Sequence, residues 1–268
     1  MERNSLKPLF RFPGGKQTEL KHYIDLIPKT DPVDGFTTYV EPFVGGAATF
    51  FALNHGKHNV IADTDPQIIN FYEQIQKGQG PVLHSLVQDV PNSKKNYLYV
   101  RDSLETGPSD LLDAFKFYYL RQTCFRGIDQ RDRDGHFNTS WNTTDNPSIN
   151  SNKLLDPAYP ELLQRTEVLR QSFEQTMTDH DDCETFCFLD PPYPGKDHYS
   201  SDFDTKAHER LADLFGEAQS KCLLIVEDSE LIRELYHNNI VGSYSKAYNM
   251  KRDHKVRSTK HLIIANYL

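Results

Sequence analysis

The sequence predicts an α/β fold: a largely parallel sheet built from both ends of the chain, with a mainly helical insertion between them. Three observations carry this. Short apolar runs alternate with helical periodicities over the first 77 residues. That alternation lapses from about residue 78 to 175. Apolar runs then return at 185–189 and 222–226, and the chain closes in a two-stranded pattern.

After Phe12-Pro13-Gly14-Gly15-Lys16, the spacing of Leu20, Tyr23, Ile24 and Ile27 predicts a helix that Pro28 closes. Phe36–Val40 is a predicted strand running into Glu41-Pro42-Phe43-Val44-Gly45-Gly46. Ala47–Leu53 opens a helix of small and aromatic residues. Asn59–Ala62 is a second buried strand, closed by Asp63, and Pro66 opens a helix carrying Ile68, Ile69, Tyr72 and Ile75. This strand-helix-strand-helix order argues for parallel strands. The middle shows amphipathic helical segments near Tyr97–Leu104, Leu111–Leu120 and Leu162–Leu169. Arg126–Asn152 is rich in Asp, Arg, Asn, Ser, Thr and Gly, which predicts a long exposed loop with a hairpin turn at Asp134-Gly135. Thr185–Leu189 and Cys222–Val226 are strands, joined by a helix over about Lys206–Ala218. Gly242–Tyr248 and His261–Tyr267 pair as a terminal hairpin.

The 268 residues suffice for one large α/β domain with an insertion, or for two modest domains, and 37% hydrophobic residues can fill a core. No run approaches the ~18 apolar residues of a membrane span, and the polar start Met1-Glu2-Arg3-Asn4 lacks a signal-peptide core. A soluble, cytoplasmic protein without a membrane partner is expected. Of the four cysteines, Cys183 and Cys187 are four apart, and no Cys or His pair completes a zinc set, so buried free thiols and no metal are expected beside Cys124 and Cys222. The net charge of −8 argues against a general nucleic-acid coat but not against a local basic face. Lys246–Lys260 holds six cations and one anion, and Lys116–Ser140 five cations and three anions. Runs of this kind serve a solvated surface as readily as a polyanion.

Two motifs carry chemistry. Glu41–Gly46 lies where a strand hands over to a helix; glycines there let the backbone approach a ligand, though they also serve a plain tight turn. Asp63, ending the next strand, is placed to accept hydrogen bonds from ribose hydroxyls. The pattern fits nucleoside-containing cofactors generally and lacks a G-x-G-x-x-G dinucleotide fingerprint. Asp190-Pro191-Pro192-Tyr193 is more specific, since a chance match in a chain this long is about one in a thousand. It follows an apolar strand, so it projects from a strand end. An exocyclic base amine is a poor nucleophile because its lone pair is delocalised into the ring. A carboxylate accepting one N–H and a proline-stiffened carbonyl accepting the other favour a localised lone pair aimed at an electrophilic methyl group. Tyr193 supplies a stacking surface for a base drawn out of the duplex. The competing reading is a rigid turn after a buried strand.

On these motifs the chain resembles the Dam-type family of DNA adenine-N6 methyltransferases, over nearly its whole length. Phe12-Pro13-Gly14-Gly15-Lys16 is similar to the family's N-terminal aromatic-x-Gly-Gly-Lys motif, Glu41–Gly46 to its cofactor loop, and Asp190–Tyr193 to its catalytic tetrapeptide. The motif order is that of the alpha group. The resemblance implies a Rossmann-like, seven-stranded, mostly parallel sheet with an antiparallel C-terminal hairpin, plus a helical DNA-recognition insertion. It implies a catalytic domain over 1–77 and 176–268, with target recognition over 78–175. It implies S-adenosyl-L-methionine as cofactor, held by Phe12, Gly14, Lys16, Glu41, Pro42, Phe43, Gly45, Asp63 and Asp190. Asp190, Pro191, Pro192 and Tyr193 would be catalytic. The partner implied is double-stranded DNA, with a restriction endonuclease as a further counterpart.

Cys124-Phe125-Arg126-Gly127 and Gly135-His136-Phe137-Asn138 resemble the family's DNA-recognition segment, which marks Arg121, Arg126 and Asn138 as expected DNA-binding residues. Where the family continues Phe-Asn-x-Pro-Phe-Gly, this chain has Phe137-Asn138-Thr139-Ser140-Trp141-Asn142, which leaves its recognition sequence open. The last strand resembles the family's closing strand, with His261 where an acidic residue is common. Lys16 at a helix start opposes the helix dipole, a cost that an anionic ligand would offset. Arg131 and Arg133 lie near the same loop; Trp141 suits either a core or a stacking role, and His198 and Tyr199 a lid. A cytosine or RNA amino-methyltransferase and a catalytically silent DNA-binding module remain the competing readings.

Overall fold

In a computed structural model the described residues are 5–29, 35–55, 57–104, 110–128, 130–132, 136–142, 149–193, 203–249 and 256–268. Strand β1 (Thr38–Glu41) leads to helix α1 (Ala48–Leu53), β2 (His58–Asp63) to α2 (Pro66–Gln76). Helices α3 (Gly80–Asp89), α4 (Lys94–Asp102), α5 (Leu111–Thr123) and α6 (Ala158–Leu163) follow, then β3 (Thr166–Arg170) and α7 (Phe173–Asp179). The chain ends through β4 (Thr185–Leu189), α8 (Thr205–Glu217), β5 (Lys221–Glu227), α9 (Glu230–Leu235), β6 (Ile240–Asn249) and β7 (Val256–Ala265).

Helix starts follow local chemistry. Asp65, Asp110 and Asp204 cap α2, α5 and α8 by accepting from the amides of Gln67, Asp113 and Ala207. Pro66 sits at the first position of α2, where its missing N–H costs nothing. No helix among the described residues is long and apolar enough to cross a membrane.

The strands form a seven-stranded sheet in the order β3-β2-β1-β4-β5-β7-β6. Pairs β1–β4, β4–β5 and β2–β3 are parallel, while β5–β7 and β6–β7 are antiparallel. The mostly parallel sheet with an antiparallel C-terminal hairpin is the fold class expected. β4 is buried at every position, as a central strand covered on both faces must be.

Two compact units divide the chain. The first comprises Met1–Gln17 and Val44–Gln171. Its core is an aromatic cluster in which Phe10 packs edge-on against Phe71 and Phe117 at 5.2 and 5.0 Å. The second comprises Thr18–Phe43 and Ser172–Leu268. There Tyr23 stacks on Phe188 at 5.4 Å and Phe36 leans on Phe186 at 5.3 Å. Each such ring removed from water contributes about 1.5–3 kcal/mol.

Three expectations are corrected. The predicted helix over Leu20–Ile27 is a series of short 3-10 turns at Lys16–Thr18, Leu20–His22 and Ile24–Leu26. Tyr23, with φ −140° and ψ −7°, interrupts the helical backbone while its ring is buried. The segment Leu162–Leu169 is the end of α6 followed by β3. The Leu162 and Leu163 carbonyls are taken by Thr166 Oγ1 and Gln76 Nε2 at 2.8 and 2.7 Å, which stops the helix. Within the loop expected after residue 126, the described residues flanking 133–135 pair antiparallel, as a hairpin there requires: the Asp132 amide donates to the His136 carbonyl, and the Asn138 amide to the Gln130 carbonyl. The predicted turn at Asp134-Gly135 lies outside the described residues. Finally, Cys124, Cys187 and Cys222 are buried free thiols, but Cys183 is exposed.

Candidate active site

In the first unit, Phe12–Gly15 forms a turn in which the Gly15 amide donates to the Phe12 carbonyl at 3.2 Å, with Gly14 at φ 74°. A left-handed residue there favours glycine. The Phe12 ring then lies against the glycine loop. A Cβ on Gly45 would stand 2.7 Å from the ring, and one on Gly46 2.8 Å from the Phe12 Cβ. Gly45 itself has φ 41°. Lys16 follows, buried, its Nζ donating to the Gly14 carbonyl at 3.3 Å.

The loop is strapped to the end of β2. The Val44 amide donates to the Ala62 carbonyl at 2.9 Å, and the Gly45 amide to Asp63 Oδ2 at 3.0 Å. Tyr72, from α2, donates its hydroxyl to the Gly45 carbonyl at 2.8 Å. Asp63 Oδ1 accepts from the Asp65 amide at 2.9 Å. Loss of water around Asp63, and then the nearby Asp65 charge, push its carboxyl up from 3.8 to about 6, against the opposing pull of these amides. A carboxylate so placed holds a fixed orientation and keeps acceptor capacity for a hydroxyl pair.

Asp65 has two tasks. Its Oδ1 caps α2 at Gln67, and its Oδ2 pairs with Arg131 Nη2 at 3.0 Å; the same guanidinium nitrogen donates to Gln67 Oε1 at 3.3 Å. Arg121 is 1% exposed, its guanidinium 5.3 Å from the Phe12 ring centroid and 5.0 Å from that of Phe117. Its Nη1 donates to the Gly127 carbonyl at 3.3 Å. That location opposes the expectation of a direct DNA contact: the guanidinium is enclosed by rings, a cation–π arrangement, rather than presented to solvent. Asn138 is exposed. Arg126 lies in the turn Phe125–Gly127, and its side chain is outside the described residues. Trp141 is half-buried and donates from Nε1 to Asn92 Oδ1 at 3.0 Å. Arg133, His198, Tyr199 and the basic connection Lys251, Arg252 and Lys255 are also outside them.

In the second unit, β4 delivers the tetrapeptide. Asp190 is half-buried, Pro191 and Tyr193 are buried, and Pro192 is half-buried. Tyr193 meets the His261 ring edge-on at 5.4 Å, and His261 stacks on Tyr244 at 5.2 Å. At the end of β1, Glu41 is buried and its Oε2 accepts from the Tyr39 hydroxyl at 2.7 Å. Burial, and then the Glu41 charge, raise the Tyr39 hydroxyl well above its ordinary range, so it remains a donor. Pro42 is buried. Phe43 stacks on Phe173 at 5.3 Å and meets Phe203 edge-on at 5.5 Å. Phe203 in turn meets His208, which burial lowers to about 4 and so keeps neutral at pH 7.

Several residues beside these motifs were not foreseen: Tyr72, Asp65, Phe173, Phe203, Glu19 and Tyr244. Asp65 alone had a readable signal, an Asp-Pro helix start two residues after Asp63. The others are brought in by packing over long sequence separations.

The family model for the D12 class N6 adenine-specific DNA methyltransferases matches residues 12–255. The chain is 34% identical to the Type II methyltransferase M.CviBI of Paramecium bursaria Chlorella virus NC1A, over 98% of this chain and 100% of that one. It is 27% identical to the Type II methyltransferase M1.LlaDCHI of Lactococcus lactis subsp. cremoris, over 98% and 96%. It is 27% identical to the DNA N-6-adenine-methyltransferase of Escherichia phage P1, over 87% of this chain and 31% of that one. The match starts at the ring that covers the glycine loop and runs past the tetrapeptide into the terminal hairpin, so the chain belongs to the D12 class N6 adenine-specific DNA methyltransferase family.

Proposed function

We propose that the protein transfers a methyl group from S-adenosyl-L-methionine to the exocyclic N6 of an adenine at a specific site in double-stranded DNA. The observation that carries this reading is Asp190-Pro191-Pro192-Tyr193 at the terminus of the fully buried β4.

The residues present fit the cofactor. Asp63 is oriented by two backbone amides and suits a ribose diol, while Gly45 and Gly46 let the Phe12 ring close against the loop where a side chain would collide with it. Phe12, Gly14, Lys16, Gly45 and Asp63 are assigned to hold it, with Glu41, Pro42, Phe43 and Asp190. The buried Lys16 suits a carboxylate. When bound, the cofactor supplies a methyl group made electrophilic by a sulfonium.

The chain's own residues do the rest. The Asp190 carboxylate and the Pro191 carbonyl each accept one N–H of the adenine amine, which localises its lone pair toward the methyl. Proline rigidity keeps the acceptors in place as positive charge develops on nitrogen, and Asp190 stabilises that charge. Tyr193 stacks on the extruded base. Residues 1–77 and 176–268 are assigned to catalysis and 78–175 to target recognition. In that segment Arg126 and the exposed Asn138 are assigned to DNA, and the enclosed Arg121 to supporting Phe12. Relatives named Type II methyltransferases support a restriction endonuclease counterpart; a cytoplasmic setting, where duplex DNA is reached, belongs to the same proposal.

Sequencing DNA treated with protein and cofactor, using modified-base detection, tests the reading. N6-methyladenine at one recurrent short site is expected. Methyl groups on cytosine amines, on RNA alone or nowhere would contradict it.

A further inference from the structure

The tetrapeptide's tyrosine ends a row of four rings. His22 stacks on Tyr244 with centroids 4.5 Å apart and planes 6° from parallel. Tyr244 stacks on His261 at 5.2 Å and 10°, and His261 meets Tyr193 at 5.4 Å and 66°. Tyr244 and His261 are directly opposite on β6 and β7, so the hairpin register itself sets their stack.

The row is fastened at Tyr244. Its hydroxyl donates to Glu19 Oε2 at 2.5 Å, and Lys246 Nζ bonds to the other carboxylate oxygen. Tyr244 and Lys246 are two residues apart on β6 and so share one face of the strand. Glu19 is only 3% exposed. A buried carboxylate is costly unless fully paired, and replacing such a pair by apolar side chains is often neutral or stabilising. Stability alone is therefore a weak reason for an acid at this place. Burial, then the hydrogen bond to and charge of Glu19, hold the Tyr244 hydroxyl protonated, so it remains the donor in this pair.

We propose that Glu19 and Tyr244 are positioning residues for base capture: the carboxylate fixes the Tyr244 ring, and through His261 this sets the tilt of Tyr193 against the flipped adenine. The inference rests on the adenine reading of Tyr193. It assigns a role in the reaction to the 3-10 segment after Lys16 and to the terminal hairpin, which carry none of the motif residues acting on the base.

Tyr244→Leu, Tyr244→Phe and Glu19→Gln, each in the full chain, test it. The readouts are kcat, KM for DNA, cofactor affinity and the fluorescence of 2-aminopurine placed at the target adenine, which reports base extrusion. Tyr244→Leu removes the stack and should lower kcat about tenfold or more, as expected when a reacting group is misplaced. It should also cut the 2-aminopurine signal while leaving cofactor affinity within about twofold. Tyr244→Phe keeps the ring and loses the tether, so it should fall between Leu and wild type. Glu19→Gln should match it. If Tyr244→Leu does not fold, Tyr244→Phe carries the test. Folded variants with wild-type kcat and wild-type 2-aminopurine signal, whatever their melting temperature, would reduce the row to a structural anchor and overturn the proposal. A wild-type protein that transfers no methyl group would instead sink the adenine reading on which it rests.

Discussion

The Gly45 amide donates to the Asp63 carboxylate at 3.0 Å, so the glycine loop and the strand-end acid form one element. This acid is raised to about 6, chiefly by loss of water and then by Asp65. Ribose hydroxyls donate best to the ionised form. Cofactor affinity should therefore be highest above pH 6 and weaken as the pH falls through that value. The stability linkage runs the other way. With the folded value above the unfolded one, Asp63 contributes stability that is fully present below about 3.8 and lost as the pH rises through about 6. Calorimetric titration of cofactor between pH 5 and 8 checks the first point, and Asp63→Asn should flatten the pH dependence. A flat wild-type profile would remove Asp63 from ribose binding.

Gly45→Ala meets two obstacles, a φ of 41° and a methyl group 2.7 Å from the Phe12 ring. The left-handed backbone costs about 1–2 kcal/mol for a residue with a Cβ. Displacing Phe12 adds about 1–3 kcal/mol. Thermal melting should show that loss, and cofactor affinity should fall with it. An unchanged melting temperature and affinity would mean the loop has slack that its packing does not show.

Arg131 joins the loop proposed for target recognition to the cap of α2 through Asp65. The pair is partly exposed, so Arg131→Ala should change stability by only about 0.2–1 kcal/mol. Loosening the loop should nevertheless raise KM for DNA several-fold more than the cofactor Kd. Trp141, the sole tryptophan of the chain, sits on the same loop and offers a fluorescence reporter of DNA binding. Equal effects on both ligands would place Arg131 with the cofactor turn alone.

Cys183 is exposed, whereas Cys124, Cys187 and Cys222 are buried. A thiol reagent added to the native protein should modify one site rapidly and three only on unfolding, as mass spectrometry can count. Rapid modification of Cys187 would contradict the burial of β4.

The sheet's centre was legible because its strands are short apolar runs ended by chemistry. Phe186-Cys187-Phe188-Leu189 stops at Asp190-Pro191, and both the strand and its projecting acid follow from that pattern. β3 was not legible. As an edge strand it is half-exposed, and Leu162, Leu163, Thr166 and Leu169 satisfy a helical period until Thr166 and Gln76 take the carbonyls of Leu162 and Leu163. The enclosure of Arg121 was hidden for a related reason: a basic residue near a helix end, before a basic loop, suggests solvent, whereas the Phe12 and Phe117 rings and the Gly127 carbonyl draw it inward. Glu19 was the least legible, because its partners Tyr244 and Lys246 lie at the other end of the chain.

The central claim is that the acid ending β4 binds the amine that receives the methyl group. Asp190→Ala, assayed with methyl-labelled cofactor and duplex DNA, tests it most directly. The account predicts label in DNA as N6-methyladenine for the wild type, and a drop of at least about a hundredfold in kcat for the variant with cofactor affinity largely kept. A variant that still labels DNA at the wild-type rate would contradict it.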